Sequence, residues 1–253
     1  MIDIHTHILP GLDDGAADIY DSLEMAALAY ESGTRVIAAT PHCNVPGAYT
    51  NYFGREYCRV FEKTKEIIQK EIPGITLLAG MEVFATEELP RLLTEGMIFP
   101  VNRTRYVLME FDFMEDPDFA DEIIRRVMEV RAIPLIAHAE RYEFVQDDPD
   151  TAARWKQAGC AIQINKGSFM GRFGTAAQKT AYELIRRDLA AAVASDAHSP
   201  VRRTTCMADA YDHLRYEYSR EYLDLLFKRN PGNICNGAKP LYLGGAGTRR
   251  YRR

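Results

Sequence analysis

Seven short apolar runs recur along the chain: "MIDIH", "RVIAAT", "ITLLAGME", "YVLMEF", "IPLIAH", "AIQIN" and "LAAAVASD". Each is apolar on both faces, a pattern that suits a strand only when its sheet is covered on both sides. Between most of them lie stretches of helical spacing, "DSLEMAALAYES", "REYCRVFEKTKEIIQKE", "ADEIIRRVMEVRA", "TAARWKQAG" and "TAAQKTAYELIRRD". Residues that favour helix dominate these stretches. The alternation predicts an α/β fold, a parallel sheet joined by crossover helices. About seven such units within 253 residues fit a closed, TIM-like barrel better than an open sheet, and a barrel of this length is ordinarily one domain. The expected domain runs over residues 1–240, and the glycine- and arginine-rich end, 241–253, reads as a flexible basic tail or a remnant of expression.

Composition narrows the function. A net charge of -5 argues against nonspecific nucleic-acid binding, because neutralising phosphates requires a basic surface. No apolar run is long enough to span a bilayer, and the chain starts directly in a strand-like segment. The expectation is a cytoplasmic protein without membrane insertion. The five cysteines form no C-x-x-C pair and indicate neither a zinc ribbon nor a disulfide framework. The sequon at Asn102 to Thr104 carries no weight without a secretory route.

The informative feature is what stands at the strand ends. His5 and His7, two apart on a strand, share a face, and Asp14 follows in their loop. "VIAATPH" delivers His42, "LLAGME" Glu82, "VLMEF" Glu110, "LIAH" His138, and "AVASDAH" Asp196 and His198. Barrel strands converge at their C-terminal ends, so these nine residues would meet at one mouth. Taken singly, each has a bland reading as a surface group, an ion-pair partner or a hydrogen-bonded strand terminus. Together they point to function, because a carboxylate at the end of an apolar strand is costly to bury unless paired or metal-bound. His213, in "MADAYDHLRYEY", lies apart and reads as solvated.

Nine nitrogen and oxygen ligands exceed the needs of one ion, so more than one divalent metal is expected. The absence of cysteine favours manganese or iron, with zinc and magnesium as alternatives. Such clusters activate water and stabilise the attacking and leaving oxygens of a displacement at phosphorus, which makes phosphoester hydrolysis the natural reaction. Arg141, three residues after His138, and Arg203, five after His198, are placed to hold phosphate oxygens with their guanidinium forks. Arg202 could replace Arg203. No cysteine is followed by arginine at the spacing of a cysteine-dependent phosphatase loop, since the sixth residues on are Tyr49, Thr64, Lys166, Asp212 and Leu241.

The stretches "DIHTHILPGLDDGA", "TPH", "AGMEV", "HAERY" and "SDAH" resemble the PHP superfamily, named for polymerase and histidinol phosphatase. More narrowly they resemble its capsule and exopolysaccharide protein-tyrosine phosphatases of Gram-positive bacteria, over residues 1 to about 240. The resemblance implies a distorted barrel of about seven parallel strands, the PHP fold. It also implies a trinuclear metal centre and hydrolysis of phosphotyrosine on a bacterial tyrosine kinase that governs polysaccharide export. Carried over residue by residue, His5, His7, Asp14, His42, Glu82, Glu110, His138, Asp196 and His198 would be metal ligands, and Arg141 and Arg203 would bind phosphate. The cofactor expected is two to three divalent ions, manganese first. One departure follows "SDAH", where the family usually has asparagine and an Arg-Pro-Pro run and this chain has Ser199 and "RRTT".

The expected mechanism forms no covalent enzyme intermediate. Phenolate, with a conjugate acid of pKa about 10, can leave without a general acid, although His42 or His198 could assist. The alternatives are a phosphatase of a small molecule such as histidinol phosphate, an amidohydrolase on the same barrel, and a noncatalytic module that docks on a kinase. A homo-oligomer is left open.

Overall fold

The computed structural model describes residues 1–244, a mixed α/β fold in which every strand pairing is parallel. The strands are β1 (Ile2–Thr6), β2 (Val36–Ala39), β3 (His42–Cys43), β4 (Thr76–Ala79), β5 (Glu82–Phe84), β6 (Tyr106–Glu110), β7 (Ile133–Ile136), β8 (Ala161–Asn165) and β9 (Ala192–Ala194). They form a three-stranded sheet, β1-β2-β4, and a six-stranded sheet, β3-β5-β6-β7-β8-β9. The segment after β9 returns to β1 through a parallel bridge between Thr6 and Ala197, with His7 N–H donating to the Ala197 carbonyl at 2.9 Å.

The two-faced apolar pattern has a direct cause. Along β6, Val107 and Met109 join the core beneath the helices, whereas Tyr106 and Leu108 join a second cluster on the other face. Ile162 and Ile164 divide from Ala161 in the same way, and Val193 from Ala192 and Ala194. Ile234 and Cys235, from the helix Asn230–Cys235, belong to this second cluster. By alternation, the face carrying Leu108 ends in Glu110, that of Ala161 in Gln163 and Asn165, and that of Ala194 in Asp196. Apolar residues thus occupy the start of this face and polar residues its C-terminal end.

The predicted helices stand where the spacing places them, within three residues at each end. The helix Arg55–Glu71 coincides with its stretch and buries Tyr57, Phe61, Thr64 and Ile68, one stripe at helical spacing. The runs "RVIAAT" and "ITLLAGME" differ from expectation, since each is broken into two strands. β2 stops before Thr40 and Pro41 and resumes as β3, and β4 stops before Gly80 and Met81 and resumes as β5. The breaks are held by side chains. Thr6 N–H donates to Thr40 Oγ1 at 2.9 Å, and the Tyr57 hydroxyl donates to the Gly80 carbonyl at 2.8 Å while accepting from Gly80 N–H at 3.1 Å. Residues 241–244 of the expected tail fold back, with Leu241 N–H on Asn230 Oδ1 and Gly244 N–H on Asp188 Oδ2, both at 2.7 Å. The rest of it, 245–253, lies outside the described residues.

Tyr57→Phe leaves both Gly80 backbone groups without this partner at a buried site. The expected cost is about 1–2 kcal/mol, read as a fall in Tm of roughly 2–6 °C. An unchanged melting curve would show that the break holds without the hydroxyl.

Candidate metal centre

β1 sets the first pair. His5 and His7 are fully buried, their Nε2 atoms 3.3 Å apart. The broken strands supply the second pair, because β3 and β5 are in parallel register with His42 opposite Glu82. Both residues begin a strand after the break rather than ending one before it, which corrects the expectation for these two. The offset brings His42 Nδ1 within 3.1 Å of Glu82 Oε2. Glu110 ends β6 and reaches His42 Nδ1 at 2.9 Å.

Two more side chains come from residues with strained backbone. His138 has φ of 33° and Asp196 of 49°, the left-handed region that L residues seldom enter. By strand alternation His138 would face away from Ala137, and the left-handed residue redirects it to Glu82 Oε1 at 2.9 Å. Gln163 Oε1 accepts from His138 N–H at 3.1 Å, and the His5 carbonyl accepts from Asp196 N–H at 2.9 Å. His198 Nε2 and His42 Nε2 each lie 3.6 Å from Asp14 Oδ1, whose side chain is 56% exposed. All nine expected ligands therefore converge, and His213 lies apart, bonded to the Tyr182 hydroxyl at 2.7 Å.

The donors fall into three overlapping groups: His7, Asp14, His42 and His198; His5, His7, Glu82 and Asp196; and His42, Glu82 and Glu110. Within each, ligand atoms lie within 4.8 Å of one another. Each pair of groups shares one residue, His7, Glu82 or His42, and His138 joins through Glu82.

Outer partners fix which nitrogens can bind a cation. Asp13 Oδ2 accepts from His7 Nδ1 at 2.7 Å and from His42 N–H at 2.8 Å, and Asp13 Oδ1 accepts from Gly15 N–H at 2.9 Å. Gly15 has to be glycine, since a Cβ there would stand 2.2 Å from the His7 carbonyl oxygen. Gln163 Oε1, already an acceptor, takes the His5 Nδ1 proton at 2.9 Å. Gln163 Nε2 donates to Asn165 Oδ1 at 2.9 Å, and Asn165 Nδ2 to Asp196 Oδ2 at 2.5 Å. With their protons committed outward, His5 and His7 turn bare Nε2 lone pairs toward Glu82 oxygens 3.1 Å away. Glu82 Oε2 and His42 Nδ1 are likewise buried and opposed, with no hydrogen-bond partner among the described residues. Lone pairs facing lone pairs at this range fit cations between them.

The electrostatics agree. Burial alone would raise the Glu82 and Asp196 carboxyls, but positive charge on the surrounding imidazoles, His5 foremost, holds both well below the usual carboxylate range when no cation takes that place. Burial lowers His138, but Glu110 and Glu82 outweigh it and lift the ring to about 9. Burial, and then the His7 ring, pushes His198 down to about 3. Concentrated negative charge of this kind is met by protons or by metal.

Both expected arginines border the cluster. Arg141 Nη1 lies 3.7 Å from Asp196 Oδ2, and Arg203 Nη2 forms an ion pair with the same oxygen. Arg202 is exposed, its backbone N–H bonded to Ser199 Oγ at 3.1 Å. Three contributors escaped the sequence reading. Asp13 was masked by Asp14 beside it, although two acids before a glycine are a loop signal. Gln163 and Asn165 carried a readable signal as the polar alternate positions of "AIQIN".

A family model described as capsular polysaccharide synthesis, CpsB/CapC, matches residues 1–236. The chain belongs to this family. Tyrosine-protein phosphatase YwqE of Bacillus subtilis (strain 168) is 36% identical over 87% of this chain and 86% of its own. Tyrosine-protein phosphatase CpsB of Streptococcus pneumoniae is 29% identical over 92% and 98%. A crystal structure described with YwqE and CpsB as unique metal-dependent tyrosine phosphatases superposes with a TM-score of 0.88, at 31% identity and 100% coverage of both chains.

For this CpsB/CapC chain, stripping with a chelator should lower Tm by roughly 5–10 °C, recovered on adding a divalent metal, because a ligand at a hundred times its Kd contributes about 2.7 kcal/mol. Asp13→Ala, which frees the His7 ring, should weaken metal binding about 10- to 100-fold in a chelator competition titration. Unchanged affinity would remove Asp13 from the site.

Proposed function

We propose that the chain is a metal-dependent protein-tyrosine phosphatase whose substrate is a phosphotyrosine protein, within the family's capsule context a bacterial tyrosine kinase controlling capsule or exopolysaccharide synthesis. The observation that carries the reading is the meeting of Arg141 and Arg203 on Asp196, a member of the metal-type cluster. Two guanidiniums beside a cation cluster form a site for a tetrahedral dianion.

The assigned ligands are His5, His7, Asp14, His42, Glu82, Glu110, His138, Asp196 and His198, holding two to three divalent ions with manganese preferred. The three overlapping groups support the higher number. Such ions, when bound, supply an activated water and neutralise charge on phosphorus oxygens. Arg141 and Arg203 orient the phosphoryl group, and the buried, unpartnered Arg203 Nε is one donor available to it. Of the two histidines at the edge of the cluster, His42 suits protonation of the leaving phenolate, since Glu82 and Glu110 outweigh burial and raise its ring, whereas His198 is pushed down to about 3. Met114, next to Phe113, and Val201, two residues before Arg203, are 75% and 80% exposed, which favours a protein substrate over a small enclosed one.

The same proposal includes the distorted barrel, in which β2 with β3 and β4 with β5 count as interrupted strands, giving seven positions around the sheet. It takes residues 1–240 as one domain. A cytoplasmic location completes it, and among the described residues no helix is long and apolar enough to cross a membrane.

The test is hydrolysis of a phosphotyrosine peptide by chelator-stripped protein with manganese, iron, zinc or magnesium restored singly, and vanadate as a control. Metal-restored turnover with little vanadate sensitivity is expected, with His138→Ala reducing kcat/KM at least about 100-fold and Arg141→Lys raising KM about tenfold. Preference for histidinol phosphate would reassign the substrate. Inactivity with every ion would leave a docking role.

A further inference from the structure

Arg141 is held in an unusual setting. Its guanidinium carbon lies 4.2 Å from the Phe113 ring centroid and 4.3 Å from that of Phe173. The two rings come from different loops, one after β6 and the other after β8. Phe173 also stands 5.6 Å from the Arg203 guanidinium. The N–H donors of a guanidinium lie in its plane, so rings over its faces leave those donors free for oxygen ligands. The in-plane direction is already defined, since Arg141 and Arg203 both meet Asp196 Oδ2.

The Phe173 ring has its own support. A Cβ at Gly167 would come within 3.0 Å of Phe173 Cε2, so the absence of a side chain at 167 makes the seat for the ring. Arg172 beside it donates to the Arg202 carbonyl, tying this loop to the one that carries Arg203. Phe113 is fixed through its carbonyl, which accepts from Glu143 N–H at 2.9 Å. Neither aromatic is part of the apolar core, Phe113 being 38% exposed.

We propose that Phe113 and Phe173 are positioning residues that preset the two phosphate-binding arginines, clamping Arg141 between them and backing Arg203, so that the anion site is formed before substrate arrives. The inference rests on the reading that these arginines bind phosphate, and it does not depend on which phosphomonoester is the substrate. Long arginine side chains lose rotamer freedom when they bind an anion, and a preset pair has already lost it.

The test is titration of the metal-loaded protein with inorganic phosphate by calorimetry, a readout that needs no substrate. Phe173→Leu should weaken phosphate binding about fivefold to tenfold and Phe113→Leu about threefold, the range of one stacked cation–aromatic contact. Metal content and Tm should stay at wild-type values, and Phe173→Tyr should bind phosphate within twofold of wild type. In an Arg141→Lys background the Phe173→Leu loss should shrink to threefold or less, since the ring acts through the arginines. Gly167→Ala, which crowds the ring without removing it, should weaken phosphate binding in the same direction. Phosphate affinity within twofold of wild type for Phe173→Leu, or the full loss repeated in the Arg141→Lys background, would overturn the clamp. Turnover of histidinol phosphate with none of phosphotyrosine would instead overturn the substrate assignment and leave the clamp standing.

Discussion

The buried Glu82 carboxylate is the point on which the rest of the structure depends. It lies within 3.1 Å of ring nitrogens from His5, His7, His42 and His138, which arrive from β1, β3 and the turn after β7. A lone ionised carboxylate in such a position would cost several kcal/mol of lost hydration. Positive charge around it is therefore obligatory, and His5 and His7, whose Nδ1 protons are committed outward, turn Nε2 lone pairs to that place and suit it to a metal. Placing Glu82 at the start of a strand requires the break after β4, and opposing it with His42 requires the matching break after β2. Two small interruptions in backbone pairing are thus structural conditions for the cluster.

Around this centre, polar partners decide orientation. Asp13 fixes His7 and the backbone of His42 together, and Gln163 fixes His5 and the backbone of His138 together. Each partner couples a ring to the backbone of another ligand, so moving one ligand disturbs a second. The chain from Gln163 through Asn165 ends on Asp196, the oxygen that both arginines also address. The metal-type donors and the two arginines are therefore parts of one hydrogen-bonded and ion-paired assembly. A conformational cost is stored at His138 and Asp196, both left-handed, and it is offset by the bonds that hold those backbones.

Much of this was readable in advance because parallel strands of a curled sheet end on the same side whatever their sequence separation. An apolar run ending in histidine or a carboxylate therefore marks a mouth-facing residue, and all nine such residues do meet. The strand breaks were not readable. "RVIAATPH" and "ITLLAGMEV" look like continuous runs, and Pro41 and Gly80 interrupt them because of hydroxyls supplied by Thr40 and by the distant Tyr57. Nor could spacing separate Arg202 from Arg203, since adjacent residues in an irregular loop have no periodicity to sort them. The clamp was hidden for a similar reason, as Phe113 and Phe173 are ordinary loop aromatics until folding brings both rings against one guanidinium.

By itself the sequence determined the α/β class, the parallel order and the nine histidines and carboxylates that folding brings together. These follow from local periodicity and residue chemistry, which act over a few neighbours at a time. Only the tertiary structure decided which nitrogen of each histidine faces inward, how three donor groups share His7, Glu82 and His42, and which arginine reaches Asp196. The physical reason is that tautomer, register and backbone strain are set by partners distant in sequence, 158 residues between His5 and Gln163, and only a folded chain brings such partners into contact.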